Sequence, residues 1–357
     1  MNLKDFGLSG GKRKTLVVLG AGASRGASFV EDETQVLPPL DLDFFQQVSR
    51  LDSNPTAERL IQFVRDEYGH EVGLSMEQFF SEADYTNRFH EDLAVDRGRV
   101  VKRYVRALEH FMTVLPHLLN KTTSADCDYH RQLAESLHAQ DCVISFNYDC
   151  LMDRALRDKA NVRWDPNNDG YGFGVAHGHE NWRNHSRGHP VNTSIRLLKM
   201  HGSLNWDRSS ANEVGLIDDT TKVNSLKDSI IPPSWFKDLA TFPYGDIWKK
   251  ARTEIRTSRI MVVVGYSVPM TDLFSKSLFK VEAGSKERRE KLELLILVNP
   301  DREARRRFLD LVEDGVEPTT RILEYEWFKD FYTILHRNRK ESVQQKSKAE
   351  EARDISK

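Results

Sequence analysis

The chain has 357 residues, 30% of them charged and 39% hydrophobic, with a formal net charge of −2. Such a length has room for a sizeable core and fits two domains, or one large domain with an insertion, while the balanced charge excludes a global field that would draw the protein to nucleic acid or anionic lipid. Its cysteines, Cys127, Cys142 and Cys150, show no Cys-x-x-Cys spacing, which excludes a disulfide framework and a four-cysteine zinc site and fits a reducing, cytoplasmic compartment.

The first apolar run, Thr15-Leu16-Val17-Val18-Leu19, stops at Gly20-Ala21-Gly22-Ala23-Ser24. At about five residues it is too short for a signal peptide's apolar segment or a membrane span. It predicts a buried first strand running into a phosphate-binding turn and a helix start. Glycine there lets the backbone come close to a ligand, and the N–H groups that open the helix would face an anion. The dinucleotide fingerprint G-x-G-x-x-G places its third glycine where this chain has Arg25, so a tight turn without a ligand is the plain alternative.

Two prolines make 35–41 a loop. A helix is expected over 41–50, with Phe44, Phe45 and Val48 on one face, and Asn54-Pro55 breaks the chain. Leu60, Ile61 and Val64, then Met76, Phe79 and Phe80, predict two further short helices. The longest helix is predicted over 97–119, where Val101, Val105, Leu108, Met112 and Leu115 recur at three- and four-residue steps; Pro116 kinks or ends it. A helix over 128–138 leads into the buried strand Cys142-Val143-Ile144-Ser145-Phe146, which ends at Asn147-Tyr148-Asp149 before a helix over 150–158.

Residues 161–194 lack periodicity and read as an irregular insertion. His177, His179, His185 and His189 in it match no metal-ligand template, so a solvent-facing loop or a lid is preferred. Ile195 to Met200 is a strand ending at His201-Gly202-Ser203, and 246–257 is helical. The runs Ile260-Met261-Val262-Val263-Val264 and Leu294-Leu295-Ile296-Leu297-Val298 do not alternate in polarity, as expected of central parallel strands covered on both faces. A last edge strand is expected over 321–325. The organisation expected is therefore an α/β domain over 1–50 and 126–335, a helical insertion module over 51–125, and a charged tail over 336–357. Trp206 and Trp235 either fill the core or line a pocket.

Five strand ends carry residues suited to a ligand: the 20–24 turn, Asn147-Tyr148-Asp149, His201-Gly202-Ser203, Gly265-Tyr266-Ser267 and Asn299-Pro300-Asp301. In an open parallel sheet, ligands bind outside the carboxyl ends of the strands. In content and order this set resembles the sirtuin fold, and more closely its sirtuin-like, non-deacetylase NAD-hydrolase branch. Ser145-Phe146-Asn147-Tyr148-Asp149 and Gly265-Tyr266-Ser267-Val268-Pro269 are similar to bacterial sirtuin-like anti-phage defence proteins. The chain departs from deacetylating sirtuins in lacking their two zinc-holding Cys-x-x-Cys pairs and their Pro-Asp-Phe-Arg segment, and in having Phe146 where they have glutamine.

The resemblance implies a Rossmann-like parallel sheet flanked by helices, with no zinc ribbon and with NAD as substrate. It casts His201 as general base and Asn147 as the group holding the attacking water and the ribose. Gly20, Ala21, Gly22 and Ser24 would meet the pyrophosphate through backbone N–H groups, with Ser267 adding a hydroxyl and Gly265 among the cofactor-binding residues. Asp149 would accept from the nicotinamide carboxamide; capping the helix that follows is the plain alternative, and the two roles are compatible. Asn299 would hold the adenine ribose, and Arg25 would pair with phosphate or with a neighbouring carboxylate. The implied activity is hydrolysis of NAD to nicotinamide and ADP-ribose as an NAD-depleting defence effector. No G-x-x-x-x-G-K-[ST] motif occurs, so a separate partner, a HerA-type ATPase, is expected, together with homo-oligomer formation, no membrane contact, and nucleic acid met only through that partner. The rival readings are a protein deacylase or ADP-ribosyltransferase, and a non-catalytic NAD or ADP-ribose sensor.

Overall fold

The computed structural model describes residues 13–30, 35–69, 73–92, 98–158, 164–178, 182, 195–208, 210, 212–232, 239–269, 272–284 and 291–335. Strand β1 (Thr15–Leu19) runs into helix α1 (Ala21–Arg25). Helices α2 (Phe44–Ser49), α3 (Pro55–Tyr68), α4 (Met76–Asp92), α5 (Arg99–Thr123) and α6 (Asp128–Ser136) precede β2 (Cys142–Ser145) and α7 (Leu151–Arg157). Strand β3 (Arg196–Lys199) is followed by a small hairpin, β4 (Trp206–Asp207) and β5 (Gly215–Leu216). The chain then alternates: α8 (Tyr244–Thr257), β6 (Ile260–Val264), α9 (Leu273–Ala283), β7 (Leu294–Val298), α10 (Arg302–Leu311) and β8 (Arg321–Tyr325).

Among the described residues, six strands form one sheet in the order β3-β2-β1-β6-β7-β8. Every neighbouring pair is parallel, and the register runs Val17↔Val143 on one side of β1 and Val17↔Val262 on the other. In chain order of these six strands this is the 3-2-1-4-5-6 arrangement of a doubly wound sheet, whose order reverses beside β1. Strands β1, β2, β6 and β7 are buried along their whole length, and β8 is largely exposed as an edge. Each fully buried Val, Ile or Leu contributes about 1.5–3 kcal/mol relative to an exposed one, so the uninterrupted apolar runs define the centre of the sheet. At its N-terminal edge, Asp141 accepts from the N–H groups of Thr15 and His138, both at 2.7 Å, and ties β1 to β2.

Helices α2 to α5 pack around Phe44, Phe45, Phe79 and Phe111, which are fully buried with ring centroids 4.9–5.9 Å apart. Asn54-Pro55 starts a helix here. The Asn54 side chain accepts from the N–H groups of Thr56 and Ala57 at 3.1 and 3.0 Å, and proline at the first helical position has no N–H to lose. Pro116 lies inside α5, which continues past it; burial of Leu115, Leu118 and Leu119 outweighs the roughly 3 kcal/mol penalty of an interior proline. From the irregular insertion, Trp164, Tyr171, Phe173 and Trp182 are buried, while Gly174, Ala176, His177 and Gly178 are exposed, and Trp206 is core. Trp235, His179, His185, His189 and the tail lie outside the described residues.

Candidate active site

The reversal of strand order places a crevice at the carboxyl ends of β1 and β6, and two turns interlock there. The Gly20 N–H donates to the Val264 carbonyl (3.0 Å), the Gly22 N–H to the Gly265 carbonyl (2.9 Å), and the Gly265 N–H to the Val298 carbonyl (2.8 Å). A Cβ on Gly20 would sit 2.5 Å from the Tyr266 Cα, and one on Gly22 2.7 Å from the Gly265 Cα. Gly265 has φ +64, and a Cβ there would lie 2.1 Å from the Ala23 nitrogen. These glycines are required because two backbones touch, and two of the N–H groups expected to face an anion are instead committed to the end of β6 and the turn after it. Ala21 is exposed at the mouth, while Ala23 and Ser24 are buried beneath it.

Next to this contact, three of the expected site residues meet. The Asn147 Nδ2 donates to the Gly20 carbonyl at 2.9 Å and to the Ser24 Oγ at 3.0 Å. The Ser24 hydroxyl in turn donates to Asp149 Oδ2 at 2.6 Å. The other Asp149 oxygen accepts from the Leu151 N–H at 2.9 Å, so this carboxylate also serves the start of α7. Ser24 and Asp149 are buried; Asn147 is half-buried, keeping its carboxamide at the edge of the crevice.

His201 follows β3, the strand that pairs with β2 through Ser145↔Lys199. Its ring is 5.4 Å from that of Phe146, 6.4 Å from Tyr148 and 6.5 Å from Trp248, so aromatic groups on both sides of Asn147 face the imidazole. The His201 carbonyl accepts from the Ile231 N–H at 2.8 Å, and Gly202, at φ +90, makes the bend possible. Phe146 also stacks on Tyr266 at 4.5 Å with 14° between the rings, joining the ends of β2 and β6 across β1. Burial, with Glu77 nearby, pushes the Tyr148 phenol well above its ordinary range; burial, with Asp272 nearby, does the same for Tyr266. Both phenols are therefore neutral at physiological pH.

The remaining expected residues lie on the β6–β7 side. The Asn299 Nδ2 reaches the Tyr266 carbonyl at 3.4 Å, linking the end of β7 to the 265–269 turn. Ser267 is exposed, and its carbonyl accepts from Arg307 Nε (3.2 Å) and Nη2 (3.0 Å). Its neighbour Val268 is buried with φ +53, an uncommon conformation for a β-branched residue and a mark of strain in this turn. Arg25 is bound to protein groups: its Nε donates to the Pro38 carbonyl at 2.6 Å and its guanidinium pairs with Asp43.

One group was not picked out as a site residue from sequence. Lys199, the last residue of β3, is fully buried, donates to the Asp149 carbonyl, and pairs with the buried Asp153 at 3.4 Å. A lysine following the apolar pair Leu197-Leu198 at the end of a strand is the available signal. Among the described residues, no group of three or more His, Cys, Asp or Glu side chains could hold a metal ion, and no helix is long and apolar enough to cross a membrane.

Solved structures similar to the chain include a complex of a Sir2 homologue with NAD, at 15% identity, TM-score 0.44, and 94% coverage of each chain. Another is a Sir2 enzyme studied for its mechanism and regulation, at 14% identity, TM-score 0.43, and 96% and 98% coverage of this chain and that one. A complex of Sir2 with a p53 peptide and NAD+ is similar at 14% identity and TM-score 0.39, with 97% and 99% coverage. No curated protein matches the sequence. Residues 141–315, from just before β2 to just beyond α10, match the family model of the SIR2-like domain.

Proposed function

We propose that the chain binds NAD across the β1–β6 crevice and hydrolyses its nicotinamide–ribose bond, releasing nicotinamide and ADP-ribose. The observation that carries this reading is the meeting of Asn147, Ser24 and Asp149 at 2.6–3.0 Å, beside the interlocked glycine turns and one strand away from His201. The match of residues 141–315 to the SIR2-like domain supports the choice of dinucleotide.

The chemistry follows from the residue types. Cleavage passes through an oxocarbenium-like state at the ribose C1′, as in glycoside hydrolysis. The C1′–N bond breaks with its electron pair going to the pyridinium nitrogen, so nicotinamide leaves neutral without a general acid. A water oxygen bonds to C1′, and His201 takes the proton released, a role an imidazole fills near neutral pH. Asn147 orients the water and ribose through an uncharged donor and acceptor. Asp149, braced by Ser24, presents an acceptor to the carboxamide. Gly20, Ala21, Gly22, Gly265 and Ser267 border the pyrophosphate, and Asn299 the adenine ribose.

An NAD-depleting effector in anti-phage defence, cytoplasmic, homo-oligomeric and restrained by a HerA-type ATPase, is the setting that fits such an activity. The helices over 51–125 and the tail over 336–357 are the surfaces assigned to that partner. Nicotinamide release by the purified chain, alone and with the ATPase, tests the reaction type. Release in buffer without any acylated peptide is expected; release only when an acylated peptide is supplied would make the protein a deacylase instead.

A further inference from the structure

We propose that Lys199 is a positioning residue that sets the Asn147-Tyr148-Asp149 turn against His201, an inference that rests on the NAD-cleaving reading of the site. Lys199 and Asp153 are 1% and 0% exposed, among the most buried charges a protein can carry. Removing a lysine from water is costly, and a well-packed apolar side chain in its place is often as stable or more so. A leucine would suit the end of a buried strand, so this ammonium group calls for a reason beyond packing.

Its contacts supply one. The Nζ donates to the carbonyl of Asp149, the closing residue of the turn, and to Asp153 Oδ2 at 3.4 Å, so one cation pins the turn to the first turn of α7. Asp153 Oδ1 accepts from the Tyr171 hydroxyl at 2.5 Å, and that oxygen accepts from Asn205 Nδ2 at 2.9 Å. Tyr171 and Asn205 are both fully buried. The Asp149 side chain is held by Ser24 while its carbonyl is held by Lys199, so the turn is clamped from two directions. His201 lies two residues beyond Lys199 on the same strand end. A single strand thus carries both the base and the clamp, which fixes their separation from Asn147 without any contact between Lys199 and substrate.

The test uses the full chain and a charge-neutral replacement of the pair, Lys199→Met with Asp153→Asn, which leaves no unpaired buried charge and keeps an acceptor for Tyr171. The double variant is expected to keep its thermal transition and to bind ADP-ribose within about threefold of the parent, while kcat for nicotinamide release falls on the order of 10- to 100-fold, as for a sub-ångström misplacement of orienting groups. A kcat within about twofold of the parent overturns the proposal. A parallel loss of ADP-ribose binding and thermal transition also overturns it, because the pair is then structural only. Tyr171→Phe, which removes one hydroxyl from the far end of the network, is the milder companion: kcat is expected to fall about threefold or more at unchanged KM, and an unchanged kcat counts against the clamp. A parent chain that neither binds ADP-ribose nor releases nicotinamide sinks the NAD reading itself, a result distinct from an active parent with an equally active double variant.

Discussion

Asn147 donates to the hydroxyl of Ser24, 123 residues earlier in the chain, at 3.0 Å, joining the segments that follow two neighbouring strands. The same carboxamide also holds the Gly20 carbonyl, so the residue expected to orient substrate is itself oriented by the glycine turn. The glycine turn and Asn147 are thereby one hydrogen-bonded unit, the arrangement that the proposed positioning of a water and ribose requires.

Ser24 is the hinge of that unit, because it accepts from Asn147 and donates to Asp149. Ser24→Ala removes a charge-assisted hydrogen bond and leaves two buried or half-buried groups short of a partner. A loss of about 2 kcal/mol is expected. In urea denaturation it appears as a lower midpoint with the slope unchanged. An unshifted midpoint would mean that water replaces the hydroxyl without cost.

The contact between the 20–24 and 265–269 turns makes a contrasting pair of glycine substitutions informative. Gly265→Ala puts a Cβ 2.1 Å from the Ala23 nitrogen at φ +64, adding overpacking to left-handed strain. At least about 3 kcal/mol is expected to be lost, together with ADP-ribose binding. Gly69→Ala, at φ +79 with nothing within 4 Å, carries the strain alone and is expected to cost only about 1 kcal/mol. Thermal unfolding and calorimetric titration of both variants read the difference.

Burial pushes the Asp141 carboxyl up to about 6, despite the two backbone N–H groups that favour its charged form. A carboxyl raised above its unfolded value of 3.8 holds its proton longer in the folded chain. Its contribution to stability is therefore present below that unfolded value and lost as pH rises through about 6. Between pH 4 and pH 7 the parent is expected to lose roughly 2 kcal/mol more than Asp141→Asn does. Denaturant midpoints of both proteins across that range measure it; parallel pH profiles would show that Asp141 titrates normally.

The parts of this fold legible in sequence are those where burial is continuous along the chain. Strands β6 and β7 are covered on both faces and so read as unbroken apolar runs, and the polar residues just past them mark the carboxyl edge. Helix α10 escaped notice because only Ala304 and Phe308 are buried in an otherwise arginine-rich segment. Helix α9 escaped because Leu273 and Phe274 at its start face outward and blur its period. The close backbone approach at the 20–24 turn is legible in its small residues, but not which of its N–H groups the end of β6 claims. The Lys199–Asp153–Tyr171–Asn205 network was invisible in the same way: its members lie on separate segments, and no local pattern reports which buried polar groups will meet.

The most direct measurement is nicotinamide release from NAD by the parent chain, Asn147→Ala and His201→Ala, each first shown by circular dichroism to be folded. Loss of at least about 100-fold in both variants is the expected result, the scale of removing an orienting group or a positioned base. Turnover that survives undiminished in both would place the reaction elsewhere and contradict the assignment of this crevice.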